Sequence, residues 1–199
     1  MRVVAGFVVA VVLLAAIAGM WFVPSGRSTS HRESGLSAAA SQPRADINGT
    51  ERAEKLDAEG ITNPNLVPAS ESGLRDTDLV IGVVAFGEAR AYLKRALAYY
   101  PERHIVNDKF GDVSVTVTHC DVTSCTRVLT NGKEGDSVNV RCGGWSDKKG
   151  MSLLVDELEY SQLSKDVPLQ DVSHVVTTWK EWRTLHPKSM VYLGAVFIN

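Results

Sequence analysis

The feature that most constrains this chain is an apolar stretch near its N-terminus. Residues 3–23 contain no charged side chain and consist mostly of Val, Ala, Leu, Ile, Phe and Gly. At 1.5 Å per residue, a helix of this length spans about 31 Å, close to the roughly 30 Å hydrocarbon core of a bilayer. Trp21 and Phe22 suit the membrane interface, and Pro24 ends the helix. The pattern predicts a transmembrane signal-anchor over residues 1–24, which contacts the membrane through residues 3–23.

A cleaved signal peptide is the competing interpretation of the same stretch. Arg2 supplies a basic start, and Ala16-Ile17-Ala18 resembles a cleavage site. The apolar run, however, continues past this site and exceeds the usual ~7–15 residues of a signal peptide. Orientation is poorly determined by charge, because Arg2 lies before the span while Arg27 and Arg32 lie after it. We expect a single-pass protein of the cell membrane with its C-terminal part outside the cytoplasm, since an anchor at the N-terminus usually exports the rest of the chain.

Composition divides the remaining residues into a linker and one domain. Residues 25–75 are rich in Ser, Ala, Gly, Glu and Arg and poor in large apolar side chains, so they bury too little surface to offset chain entropy. We therefore predict a flexible linker over 25–75 and a single folded domain over 76–199. The whole chain carries a formal net charge of -2 and no long Lys/Arg run, which argues against nucleic-acid binding.

Short alternating segments separated by turn residues dominate the predicted domain. Residues 79–84 form a buried strand that turns at Gly87, and residues 112–120 form the clearest strand, with alternate side chains on two faces. Asn131-Gly132 is typical of a hairpin turn. Thr178 and Glu181 fit the capping box of a helix. These features predict an α+β fold, mainly antiparallel sheet with short helices, preceded by the transmembrane helix and the linker.

The richest cluster of chemical groups lies between residues 104 and 125. If residues 105–106 pair with the strand that ends at Cys120, seven side chains gather at one end of a sheet: His104, Asn107, Asp108, His119, Cys120, Asp121 and Cys125. His and Cys are suitable zinc or copper ligands, so His104, His119, Cys120 and Cys125 are candidate metal ligands. Cys120, Cys125, His119 and Asp108 are the candidate catalytic residues. The sequence identifies no cofactor-binding residue, and the cofactor is unknown.

Structural roles compete with each functional interpretation of this cluster. Cys120 fits a small buried apolar residue or one half of a disulfide with Cys125, which would be reasonable outside the cytoplasm. A redox pair with His119 beside it is the third alternative. His119 continues an apolar face and fits a hydrogen-bonded core histidine. Asn107 and Asp108 favour local turn hydrogen bonds.

Several segments together resemble a bacterial family, the domain of unknown function 3179. The segments are Glu88–Tyr92, Ile105–Asp108, Val115–Cys120, Thr177–Trp182 and His186-Pro187, within residues 77–194. The resemblance implies an uncharacterised membrane or envelope protein and supplies no mechanism. Many relatives carry Cys-Pro-Leu-Cys where this chain has Thr123 at the second cysteine position and Cys125 two residues later, which puts any role that needs a CxxC pair in doubt.

Two function classes are consistent with these observations. The first is a non-catalytic envelope domain that binds or scaffolds a protein or small molecule, because no established catalytic motif is evident. The alternative is a metal-binding or thiol-redox protein that uses the Cys/His cluster. The sequence leaves open whether the chain is an enzyme, and it identifies neither the ligand nor the oligomeric state.

Overall fold

The computed structural model describes residues 53–146 and 149–194. Within these ranges the chain forms fourteen strands and one α-helix, α1 (Trp179–Leu185). The strands are, in chain order, β1 (Ala53–Glu59), β2 (Ile61–Thr62), β3 (Leu66–Pro68), β4 (Leu79–Ala85), β5 (Glu88–Leu93), β6 (Ile105–Phe110), β7 (Val113–Cys120), β8 (Cys125–Glu134), β9 (Arg141–Ser146), β10 (Gly150–Val155), β11 (Leu158–Ser161), β12 (Gln170–Asp171), β13 (His174–Thr178) and β14 (Met190–Tyr192).

The strands form three sheets. Their orders are β1-β9-β10-β11, β12-β8-β7-β6-β2 and β13-β4-β5-β14-β3. Most pairs are antiparallel, but β14 pairs with β5, and β2 with β6, in parallel. A mainly antiparallel β-rich fold is therefore confirmed, whereas the α content within the described ranges is one short helix and a few single 3₁₀ turns.

The second sheet lies between the other two. One apolar cluster joins it to the third sheet through residues such as Ile81, Tyr92 and Val117. A second cluster joins it to the first sheet through Cys120 and Cys142 among others. All eight residues of β7 are buried, because both faces of this strand are covered. The alternation predicted for this strand is confirmed, although it separates two cores rather than a core from solvent.

The helix packs on the outer face of the third sheet. Thr178 and Glu181 form the predicted capping box, with both reciprocal hydrogen bonds present. Trp179 and Trp182 are buried against this sheet. Gly82 makes the close approach possible, since a Cβ there would lie 2.1 Å from the Trp182 ring. Residue type at one strand position thus sets how near the helix can lie.

Two local predictions differ in their outcome. The hairpin at Gly87 is confirmed: β4 and β5 are joined by Phe86 and Gly87, both with positive φ, as a two-residue turn requires. The turn at Asn131-Gly132 is wrong, because β8 continues through both residues. Gly132 instead adopts φ +67° within a bulge, where the register against β7 shifts.

The predicted linker over residues 25–75 needs correction at its C-terminal end. Residues 53–68, which have linker-like composition, form β1, β2 and β3, one in each sheet. β1 alternates half-buried and exposed side chains, from Glu54 to Glu59, so its partner strand β9 stabilises it without a run of large apolar residues. Composition alone misses such an edge strand.

The N-terminal predictions concern residues that are not described. The signal-anchor over 1–24 and the remainder of the linker up to residue 52 lie outside the described ranges. No helix within 53–146 and 149–194 has the length and apolarity to cross a bilayer.

Candidate functional site

The hairpin between β7 and β8 gathers most of the predicted cluster. Cys120 and Cys125 are direct cross-strand partners at its end. His104 immediately precedes β6, and its carbonyl oxygen accepts a hydrogen bond of 2.9 Å from the His119 backbone N–H. The predicted pairing of residues 105–106 with β7 is present. The structure therefore places His104, His119, Cys120 and Cys125 at one end of the middle sheet.

Asp108 lies apart from this group. It pairs with Val115 further along β6. Its carboxylate accepts hydrogen bonds from Arg90 Nη1 at 2.7 Å and from the Tyr92 hydroxyl at 2.6 Å. Arg90 is itself mostly buried, with 11% of its side chain exposed. Asp108 is thus part of an internal ion pair that joins the second and third sheets, and the structure does not bring it to the cysteines.

Both imidazoles are held through the same ring nitrogen. His104 Nδ1 lies 2.7 Å from the His119 carbonyl oxygen, and His119 Nδ1 lies 3.0 Å from the Cys125 carbonyl oxygen. A carbonyl only accepts, so each Nδ1 carries the proton, and Nε2 of the neutral ring is an acceptor. Burial lowers the pKa of His119, as do Lys94 and His104, against the hydrogen bond to Cys125. His119 therefore favours its neutral form.

The thiols differ in accessibility. Cys120 is fully buried in the apolar cluster that also contains Cys142, as one structural interpretation expects. Cys125 is partly exposed, and its thiol donates to the Thr123 carbonyl oxygen at 3.6 Å. All three cysteines are free thiols. Burial raises the pKa of the Cys142 thiol to about 11, so this cysteine is inert at neutral pH.

The metal candidates do not form a coordination group. Across residues 53–146 and 149–194, no three His, Cys, Asp or Glu side chains lie close enough together to hold a metal ion. His104 Nε2 has one carboxylate nearby, Asp121 Oδ1 at 3.9 Å. This distance is too long for a hydrogen bond, and the imidazole itself is buried, with 2% of its side chain exposed.

Two recesses flank this end of the sheet, and Tyr99 lines both. The first, which we name the acidic recess, has a volume of about 290 Å³ and is lined by Glu54, Tyr99, His104, Asp121, Val122, Trp145 and Ser146. The second, the basic recess, has a volume of about 320 Å³ and is lined by Arg75, Thr77, Asp78, Leu79, Lys94, Arg95, Ala98, Tyr99 and His119. The two carry opposite charge: two carboxylates in one, three cations and one carboxylate in the other.

Tyr99 separates these recesses in an unusual conformation. The residue is 81% exposed, and its backbone has φ 75°. The left-handed region is costly for a bulky residue without a compensating interaction. Here the Tyr99 backbone N–H donates to Asp121 Oδ2 at 3.2 Å. The hydrogen bond to Asp121 thus accompanies a strained backbone conformation that leaves the Tyr99 ring in solvent between the two recesses.

The acidic recess contains an unsatisfied donor. Trp145 stands edge-on to the His104 ring, with the ring centroids 5.2 Å apart. Its indole Nε1–H is buried and has no hydrogen-bond partner within the described part of the chain. Trp145 also lines a larger neighbouring groove of about 460 Å³ over β1, β9, β10 and β11. A buried donor without a partner costs about 1–3 kcal/mol, which an acceptor on a ligand would recover.

The basic recess is organised around Asp78. This buried carboxylate accepts from Arg75 Nη2 at 2.9 Å and from Arg95 Nη1 at 2.6 Å. Hydrogen bonds from the Arg75 side chain and backbone, and then from Arg95, lower the pKa of Asp78 to about 2 against the effect of burial. The two guanidinium groups remain 78% and 57% exposed as side chains. One anion therefore fixes two cations at the recess wall.

Sequence reasoning missed most residues of these recesses. Arg75 fell in the predicted linker, and Lys94 and Arg95 lie in a single 3₁₀ turn, Lys94–Ala96, that carried no signal of a site. Tyr99 and Trp145 were not singled out as site residues. Local signals exist for Arg75 and Asp78, which are three residues apart, and for Asp78 and Arg95, which the β4–β5 register sets opposite each other. The approach of His119 depends on the packing of the second sheet against the third.

Comparison with known families adds an assignment to this geometry. Residues 60–142 match the family model described as protein of unknown function DUF3179. Over these residues the chain is similar to that family. The matched segment covers less than half of the 199 residues, but it contains every residue that lines the basic recess and all four cysteine and histidine candidates. Trp145 and helix α1 lie beyond the DUF3179 match. No curated protein and no solved structure matches the chain.

Proposed function

We propose that this DUF3179 protein is a membrane-tethered, non-catalytic binding protein whose folded domain stands outside the cytoplasm and takes a small ligand in the cleft divided by Tyr99. The observation that carries the proposal is the strained, exposed Tyr99 ring between two recesses of opposite charge. Strain persists where the surrounding structure enforces it, and binding sites are a common place for it. An aromatic face with charged groups on both sides suits a small polar molecule.

The state of the candidate nucleophiles supports binding over catalysis. The Cys120 thiol is buried, and His119 Nδ1 is already engaged by a backbone carbonyl. Within the described residues no hydrogen bond joins a cysteine thiol to an imidazole, which is the arrangement that activates a thiol nucleophile. The tether is supported by the uncharged apolar stretch of residues 3–23.

Native and denaturing mass spectrometry of the full chain, extracted from membranes in mild detergent, tests this proposal. We expect the full-length mass with its leader intact, and a small molecule that leaves on denaturation. Tyr99→Ala should lower the occupancy of that molecule. Tyr100→Ala is the matched control, because this neighbour is also exposed, lines neither recess and has φ -120°.

Three results would contradict the proposal. A native mass equal to the denatured mass would show that no ligand is bound. Equal occupancy in the two tyrosine variants would show that the ligand does not bind at Tyr99. A mature chain that begins after Ala18, or a full chain recovered from the cytosol, would remove the tether. The same spectra identify a bound metal ion by its mass.

Thiol redox chemistry is a second candidate, favoured by one specific observation. Cys120 and Cys125 are opposite each other across the hairpin. Such partners have Cα atoms about 4.5–5.5 Å apart, within the ~4.4–6.8 Å that a disulfide needs. Oxidation by a disulfide donor would join the two sulfur atoms, and their two protons and two electrons would leave with the reduced donor. A full chain that keeps its mass with and without reductant contradicts this candidate.

A further inference from the structure

We infer that the basic recess binds a small ligand through an anionic oxygen group, a phosphate or a carboxylate, using Arg75, Lys94 and Arg95. The inference rests on the proposed function and names the chemistry of its ligand on one side of Tyr99. The recess has three cationic side chains against one carboxylate, and all of these residues lie within the DUF3179 match.

The two arginines are already positioned. Asp78 Oδ1 accepts from both guanidinium groups, and Asp78 is 4% exposed. A guanidinium has five N–H donors. Arg75 uses its Nε and Nη2 groups toward Asp78, and Arg95 uses Nη1. Each arginine therefore keeps donors for a second anion, and little side-chain freedom remains to be lost on binding.

Asp78 is itself fixed by the fold rather than by its arginines alone. Its carbonyl oxygen accepts the Trp179 backbone N–H at 2.7 Å, and its own N–H donates to the Arg75 carbonyl oxygen at 3.0 Å. The first contact ties Asp78 to the start of helix α1, whose tryptophans are buried. Asp78, which holds the two arginines, is thus itself fixed to the packed helix α1, as a preformed site requires.

Lys94 adds a third cation to the recess wall. Within the described residues it has no carboxylate partner, unlike Arg75 and Arg95. Burial lowers the pKa of the His119 imidazole, and the nearby Lys94 lowers it further, which favours the neutral ring. Neutral His119 then leaves Nε2 as an acceptor, suited to a hydroxyl on the ligand or to a protonated phosphate.

Binding of inorganic phosphate to the full chain in non-ionic detergent micelles tests the inference. Equilibrium dialysis with labelled phosphate should show one site per chain with a Kd in the millimolar range or tighter. Lys94→Gln and Arg95→Gln should each weaken binding at least about tenfold, the loss of one charge-assisted hydrogen bond. Among the described residues Lys94→Gln breaks no ion pair and no side-chain hydrogen bond, so it tests the charge with less risk to folding than Arg95→Gln, which breaks the bond to Asp78.

Lys188→Gln is the control, since Lys188 is exposed, lies outside the basic recess and removes the same charge. Competition separates the sources of the anion: succinate displaces phosphate if a free carboxylate is accepted, and phosphatidylglycerol in the same micelles displaces it if a lipid headgroup is. Equal affinity in all variants, or the absence of bound phosphate, would overturn the inference. The tyrosine experiment uses no phosphate, so its result separates a wrong anion class from a wrong binding site.

Discussion

Asp78 and Asp108 are two buried carboxylates with different surroundings. Both accept short hydrogen bonds from arginine, and both side chains are at most 6% exposed. Arg90, the partner of Asp108, has 11% of its side chain exposed. Arg75 and Arg95, the partners of Asp78, are 78% and 57% exposed. Asp108 therefore neutralises the buried guanidinium group of Arg90. Asp78 instead holds two guanidinium groups that face solvent. Burial of an acid does not by itself mark a site; the exposure of its partners does.

Removal of Asp108 should have the largest effect on stability. Asp108→Ala leaves the mostly buried Arg90 with Glu88 as its one carboxylate partner among the described residues, and leaves the Tyr92 hydroxyl without its acceptor. Loss of one partner from a buried pair typically costs about 3–5 kcal/mol. We expect a drop of about that size in the free energy of unfolding, measured by urea titration of the full chain followed by tryptophan fluorescence.

An exposed ion pair supplies the reference for that measurement. Asp57 pairs with Arg141 and has 63% of its side chain exposed. Asp57→Ala should cost at most about 1 kcal/mol, since solvent screens such pairs. If Asp108→Ala and Asp57→Ala lose the same free energy of unfolding, the Asp108–Arg90 pair behaves as an exposed pair. The distinction between Asp108 and Asp78 would then be wrong for Asp108.

Asp78→Asn should have a smaller effect on stability and a pH dependence. Its carboxylate loses charge-assisted bonds worth about 1–3 kcal/mol, but both arginines regain water. The folded-state pKa is about 2, below the ordinary 3.8. The stabilisation is therefore complete above the ordinary pKa and is lost as pH falls through the folded value. We expect the difference in unfolding free energy between wild type and variant to shrink from about pH 5 to about pH 2.

Phosphate binding adds a second readout to the same variant. If Asp78 positions Arg75 and Arg95, Asp78→Asn weakens phosphate binding although it removes a negative charge from the recess. Tighter binding in Asp78→Asn would mean that the recess acts by net charge alone and that Asp78 has no positioning role. A stability difference that does not change over the acidic range would instead show that Asp78 is not the anion of this pair.

The contrast also shows how far local sequence patterns reach. Alternation identified β7 and the β4–β5 hairpin because each depends on residues close in the chain. The gathering of His104, His119, Cys120 and Cys125 was predicted from one strand pairing. The basic recess was not predicted: the β4–β5 register brings Arg95 opposite Asp78, but His119 joins them in the recess only after the second and third sheets pack. Asp108 was selected for its residue type, and nothing local indicated that Arg90 and Tyr92 would cover it.

The cysteines extend the comparison and carry the smallest expected effect. Cys120 is sealed in an apolar cluster, while Cys125 is partly exposed at the hairpin end. Cys125→Ser should change the unfolding free energy by less than about 0.5 kcal/mol, as is usual for a site outside the core.

Iodoacetamide at mildly alkaline pH should label Cys125 first in the native full chain. Cys142, with a pKa of about 11 against an ordinary 9.0, should hold about a hundredfold less thiolate than an unperturbed cysteine. Peptide mapping of the labelled chain reports the order, and equal labelling of all three thiols would mean that this end of the middle sheet opens readily, in which case the two recesses are not preformed.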